Sequence, residues 1–145
     1  MPTFEEELFV HNGHEGKKDW FTIEGPFRFR EGEWQYVMYN GGRYENDTYH
    51  VGYAAAKSDE TDLTKVKFEK HTDNGKFAPV LIKNDFEEGT GHHSVIKYKG
   101  EYYAIYHVRD YGAIDDGYKE ARTARICRLN VEDGIIVAER YADKV

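Results

Sequence analysis

At 145 residues the chain suits one ordinary domain with a core of its own. A net charge of −7 excludes the basic face that nucleic-acid binding requires, and no apolar run is long enough for a transmembrane helix, so neither nucleic acid nor membrane is an expected partner. Cys127 is the single cysteine, which excludes an internal disulfide, and its apolar neighbours Ile126 and Leu129 predict that it is buried.

Residues 1–22 predict a strand at Glu7–Val10 and then a loop. Glu5, Glu6 and Glu7 stand where a signal peptide would carry its basic start, which predicts a cytoplasmic chain. His11 and His14 would meet one metal ion only on a helix, and Asn12-Gly13 between them predicts a solvated turn. Next comes Glu24, followed by Gly25-Pro26. That dipeptide predicts a sharp change of direction, with the carboxylate held at the mouth of a strand.

Beyond Pro26 the sequence reads as strand after strand. Pro26–Arg30 alternates phenylalanine with arginine, and Glu31-Gly32 predicts a tight turn. Glu33–Asn40 and Thr48–Ala56 follow; the second contains Gly52, where another backbone or a ligand has room to approach. Lys65–Lys70 alternates as a fourth, edge-like strand. After a loop holding Val80, Leu81 and Ile82, the pattern restarts with His92–Tyr98, a turn at Lys99-Gly100, Glu101–His107, Arg122–Leu129 and Gly134–Arg140. The 12 tyrosines suit strands whose rings pack on one side and present a hydroxyl on the other. Gly32 and Gly100 lie 68 residues apart and Tyr39 and Tyr106 lie 67 apart, the near-constant spacing of repeated blades. The expected fold is therefore all-β and propeller-like, with an N-terminal strand and loop (1–22) and two four-stranded antiparallel blades (23–71 and 92–141). A β-sandwich of about eight strands is the alternative.

The motifs IEGPF, GEWQYVMYNGG, YHVGYA, GTGHHSVIKYKGEYYAIYHVR and ARICRL, in that order, resemble the later blades of glycoside hydrolase family 43. The resemblance implies part of a five-bladed β-propeller acting on arabinose and xylose linkages of hemicellulose oligosaccharides. Glu24 then matches the general acid that protonates the leaving oxygen, a role that needs a carboxyl still protonated near neutral pH. His92 matches a histidine near the central channel, where some members hold calcium or another divalent ion, although the chemistry itself requires no cofactor. Arg109 matches an arginine that positions carboxylates and sugar. Trp20 and Phe21 adjoin Glu24 and are the expected stacking platform for a pentose. Each has a plainer reading: Glu24 as a surface carboxylate, His92 packed in the sheet, Arg109 in a structural salt bridge.

The sequence departs from the family in one respect. The family's general base and a second, pKa-modulating aspartate lie well ahead of the acid, and here only 23 residues precede Glu24. Inversion needs a second carboxylate ~6.5–9.5 Å away with a water between. Asp19, Asp47 and Asp110 are the nearest candidates, and a solvated loop is the simpler reading of each. Two blades leave apolar faces and strand edges open, which predicts a homo-oligomer. The alternative function is a non-catalytic carbohydrate-binding or assembly module, or an inactive fragment of a longer enzyme.

Overall fold

The computed structural model describes residues 23–117 and 120–141. The readings that fall on Glu7–Val10, His11, His14, Asp19, Trp20 and Phe21 lie outside the described residues. Those described are all-β and antiparallel. A first sheet runs β1 (Ile23–Glu31), β2 (Trp34–Gly41), β3 (His50–Lys57) and β4 (Glu69–Lys70), each strand paired with the next in the chain. A small hairpin, β5 (Thr72–Asp73) and β6 (Lys76–Phe77), separates it from a second meander of β7 (Glu87–Tyr98), β8 (Glu101–Asp110), β9 (Thr123–Glu132) and β10 (Ile135–Glu139). Neither sheet closes on itself.

Two-residue turns join β7 to β8 and β9 to β10. Lys99 and Gly100 have φ of 50° and 84°, and Asp133 and Gly134 have 47° and 83°. Left-handed backbone at both central residues matches the twist of the strands that such turns join. Period-two alternation sends one face of β8 and β9 inward, while β2 and the start of β3 are buried on both faces. Tyr36, Met38, Val51 and Tyr53 of the first sheet and Ala104, Tyr106, Val108, Cys127, Leu129 and Ile136 of the second form one buried cluster. Phe29 stacks on Tyr36 at 4.9 Å, and Tyr102 lies 5.0 Å from Phe29.

Rings this large carry hydroxyls into the core, and each must find a partner there. The Tyr36 hydroxyl accepts the Gly134 N–H at 2.9 Å, and the Tyr53 hydroxyl accepts the Ile136 N–H at 3.0 Å. Burial pushes the Tyr53 phenol up to about 12, so it stays protonated. Tyr102 closes a third crossing by donating to Glu31 Oε2 at 2.6 Å. Tyr36→Phe keeps the ring but strands the buried Gly134 N–H, at a cost of about 1–3 kcal/mol. A urea titration should show that loss with an unchanged slope.

The structure corrects the sequence expectation at three places. Lys65–Lys70 is not a full strand: Leu63–Lys65 is a single 3-10 turn and only Glu69–Lys70 pairs with β3. Asp62 explains the change, because its carboxylate accepts from both Thr64 N (3.1 Å) and Thr64 Oγ1 (2.6 Å) and so caps a turn where alternation predicted extension. β7 starts at Glu87, five residues before the expected His92, and passes through two irregularities between Glu88 and Ser94. Among the added residues Glu87, Glu88 and Thr90 are polar yet buried, each with a partner described below. The stretch between the two expected blades, 72–91, contains the β5–β6 hairpin, turned at Asn74-Gly75. Phe77 of that hairpin fills the space left by Gly52, where a Cβ would fall 2.9 Å from its ring.

Candidate active site

Glu24 is the second residue of β1, an edge strand, and lies opposite Asn40 of β2. The pairing then jumps to Phe27 opposite Met38, so one extra residue bulges out at Gly25-Pro26. Where the sequence suggested a sharp change of direction, the strand continues through a local bulge. Pro26 lacks an N–H to donate, which an edge strand tolerates. Gly25 adopts φ 57°, and a Cβ there would fall 2.4 Å from Asn40 Nδ2, so backbone freedom and close approach both demand glycine.

Three contacts fix this bulge from below. Asn40 Nδ2 donates to the Glu24 carbonyl at 3.4 Å, and Asn40 Oδ1 meets His93 Nδ1 at 3.0 Å. His93 belongs to β7, so the second sheet reaches through Asn40 to the backbone of Glu24. The Tyr49 hydroxyl donates to Glu24 Oε1 at 2.9 Å. Tyr49 sits just ahead of β3 and is 1% exposed, whereas Glu24 faces solvent. Burial, reinforced by the adjacent carboxylate, pushes the Tyr49 phenol well above its ordinary range.

Behind Tyr49 the rings continue. Its ring stacks on His107 at 5.7 Å, and His107 stacks on His92, also at 5.7 Å. His92 is exposed and holds a left-handed φ of 50°, an uncommon conformation for a side-chain-bearing residue. His107 is pushed down to about 4 by burial and then by the positive charges of Arg122, His92 and Arg109, so it is neutral near pH 7. The arrangement is therefore a row of an exposed carboxyl, a buried phenol, the half-buried imidazole of His107 and the exposed imidazole of His92.

Glu24 and His92 are thus brought together through Tyr49 and His107. Arg109 lies deeper: it is fully buried, and its Nη2 donates to the carbonyls of Tyr44 (2.5 Å) and Asn46 (3.4 Å). Gly89 makes room for it, since a Cβ there would overlap the guanidinium. Arg109 thereby ties the 42–49 loop of the first sheet to β8 of the second. Asp47 pairs with Lys83, and Asp110 pairs with Arg125 at 2.5 Å, so both candidate bases are held in ion pairs. Among the described residues no group of three or more His, Cys, Asp or Glu side chains is placed to hold a metal ion.

Sequence reasoning missed Tyr49 and His107 as parts of this site. No repeat relation marked them, since YH at 49–50 opens the third strand of the first set and YH at 106–107 lies in the second strand of the other. It also missed Glu87 as a hub. Its carboxylate is fully buried and accepts Arg125 Nη1 and Arg140 Nη1, both at 2.7 Å, and the Tyr106 hydroxyl at 3.0 Å.

Comparison with known proteins gives this geometry its context. The family model for glycosyl hydrolases family 43 matches residues 4–136. A solved thermostable family-43 glycoside hydrolase is similar at 29% identity and TM-score 0.63, over 88% of this chain and 38% of its own. An endo-1,4-beta-xylanase from Bacteroides thetaiotaomicron is similar at 25% identity and TM-score 0.64, over 83% of this chain and 38% of its own. An alpha-L-arabinofuranosidase from Lactobacillus brevis shares the fold at 21% identity and TM-score 0.60, over 79% of this chain and 36% of its own. No curated protein matches. The chain spans well under half the length of these solved structures. With the match running through nearly every described strand, the chain belongs to glycosyl hydrolases family 43.

Proposed function

We propose that the chain hydrolyses terminal arabinofuranosyl or xylosyl linkages of hemicellulose oligosaccharides, with Glu24 as the general acid. The observation that carries this reading is the Glu24 carboxyl itself, exposed at a strand bulge and hydrogen-bonded by a buried tyrosine. Glu24 protonates the glycosidic oxygen as the bond to the sugar breaks, and a water attacks the anomeric carbon. Such chemistry needs no cofactor. The two sheets act in this reading as two blades of a propeller, and the carboxylate that activates the water comes from outside the described residues or from a second chain. A pentose fits as substrate by analogy with the xylanase and arabinofuranosidase neighbours.

Hydrolysis of nitrophenyl arabinofuranoside and xyloside by the purified chain tests this. Glu24→Gln should lower turnover by about 10²-fold or more. Turnover by wild type that survives the substitution would remove Glu24 from the role.

A second reading is a carbohydrate-binding or assembly module without turnover. It is favoured by Asp47 and Asp110 both standing in ion pairs. Sugar binding that is unchanged by Glu24→Gln, with no hydrolysis, would establish it. Either way the outer face of the second sheet exposes Ile96, Ile105, Ile126, Ile135 and Val137, each between 42% and 54% accessible. Apolar side chains in neighbouring strands, with Ile105 directly opposite Ile126, suit burial against a second copy. Light scattering over a range of concentrations should detect a homo-oligomer that Ile105→Glu dissociates, and a strictly monomeric wild type would refute it.

A further inference from the structure

We propose that Tyr49 is the positioning residue for the Glu24 carboxyl, selecting which of its two oxygens carries the proton delivered to the substrate. The inference rests on the reading of Glu24 as general acid.

An exposed glutamate has several rotamers, and proton delivery requires the carboxyl within hydrogen-bond reach of one defined oxygen. The carboxyl has one side-chain partner among the described residues, the Tyr49 hydroxyl, 2.9 Å from Oε1. That partner is itself enclosed. The Tyr49 ring is 1% exposed and is stacked on His107 at an interplanar angle of 18°. Gly91, the β7 partner of His107, gives the ring its room, since a Cβ there would fall 2.0 Å from Tyr49 Cε1. The Tyr49 carbonyl accepts Thr90 Oγ1 at 3.4 Å, a further tie to β7. The second sheet thus builds a rigid seat for the ring, and the ring presents one O–H to one carboxyl oxygen.

The chemistry follows from the direction of that bond. Because the phenol donates, Oε1 must accept, and the proton of the neutral acid resides on Oε2. When the glycosidic bond breaks, its electron pair goes to the leaving oxygen and the Oε2 proton transfers there. The carboxyl becomes a carboxylate, and the Tyr49 hydrogen bond becomes charge-assisted and stronger. The contact therefore stabilises the transition state more than the ground state.

Tyr49→Phe removes only the hydroxyl. Its kinetics should be measured with an aryl glycoside series from dinitrophenol to phenol leaving groups, beside Glu24→Gln. The expected result is a fall in kcat of about tenfold to a hundredfold on the phenyl glycoside, a much smaller fall on the dinitrophenyl glycoside, and KM within about twofold. A purely structural tyrosine would lower both substrates equally, and that pattern, or no loss at all, overturns the proposal. If Glu24→Gln collapses while Tyr49→Phe matches wild type, the acid assignment stands and the positioning role is refuted. Carbon-13 relaxation of the Glu24 side chain decides the matter even for a chain without turnover. Wild type should hold that side chain ordered and Tyr49→Phe should release it, and equal order in both refutes the proposal.

Discussion

Glu87→Ala is expected to destabilise the folded chain by about 3–5 kcal/mol, the cost of breaking a buried ion pair from one side. The carboxylate sits at the head of β7, fully buried, between guanidiniums from β9 and from the residue after β10, with the Tyr106 hydroxyl of β8 beneath it. Three strands of the second sheet and the residue that follows β10 thus converge on one anion. Without it, Arg125 and Arg140 face each other half-buried with no charge between them. Arg125 keeps Asp110 and Arg140 keeps the Ile82 carbonyl, which softens the loss but cannot replace a shared carboxylate. Against the 5–15 kcal/mol typical of a domain, such a loss is a large fraction. Urea unfolding followed by tyrosine fluorescence measures it, and Glu33→Ala provides the contrast: its pair with Lys57 stands in solvent, and the midpoint should not move.

Acidification should expose a second large effect, centred on His93. Burial, and after it the charge of His92, pushes this imidazole down to about 4 from its ordinary 6.5. Its Nδ1 is committed to Asn40 Oδ1, and Nε2 is buried without a partner among the described residues, so an added proton would have no acceptor. The unfolded chain therefore takes up the proton first. Stability contributed by the neutral histidine is complete above about pH 6.5 and declines as pH falls toward about 4, by about 3 kcal/mol in all. The neighbouring His107 is depressed for the same leading reason and adds a loss of the same sign. Carboxylates titrate across this window too, so the comparison must be differential. Between pH 7 and pH 4, wild type should lose about 3 kcal/mol more than His93→Gln. Parallel stability curves for the two proteins would show that His93 accepts its proton in the folded state at little cost.

Strands whose side chains alternate strictly were legible in the sequence, since period two survives wherever one face packs on a core. β8 and β9 follow it closely, whereas β2 is buried on both faces and was legible from its aromatic and apolar run, and the turns at Gly32, Lys99-Gly100 and Gly134 punctuate the strands. The start of β7 was not legible, because Glu87 and Glu88 read as loop residues until their partners are known: two arginines for one, and the Ile114 N–H for the other. The β5–β6 hairpin was written in the sequence, as Asn74-Gly75 between two short extended pairs, but a run this short lacks the flanking alternation that makes such a turn conspicuous. Glu24 was singled out through its Gly-Pro neighbour and the family resemblance. Tyr49, which holds it, depends on a contact across 25 positions of sequence and on a seat made by Gly91 a further 42 positions along. Local pattern carries no trace of such an arrangement.

The two tyrosine hydroxyls that the first sheet sends across to the second impose an order on how the protein is made. Tyr36 waits for the N–H of a residue 98 positions later, and Tyr53 for one 83 positions later. While the ribosome is still synthesising the 80s and 90s, the first sheet has neither an apolar cover for its rings nor acceptable partners for their hydroxyls. Its completion is deferred until Gly134 and Ile136 have emerged from the exit tunnel. Long-range closure of this kind slows folding. It leaves the nascent chain dependent on shielding for as long as those tyrosines remain uncovered.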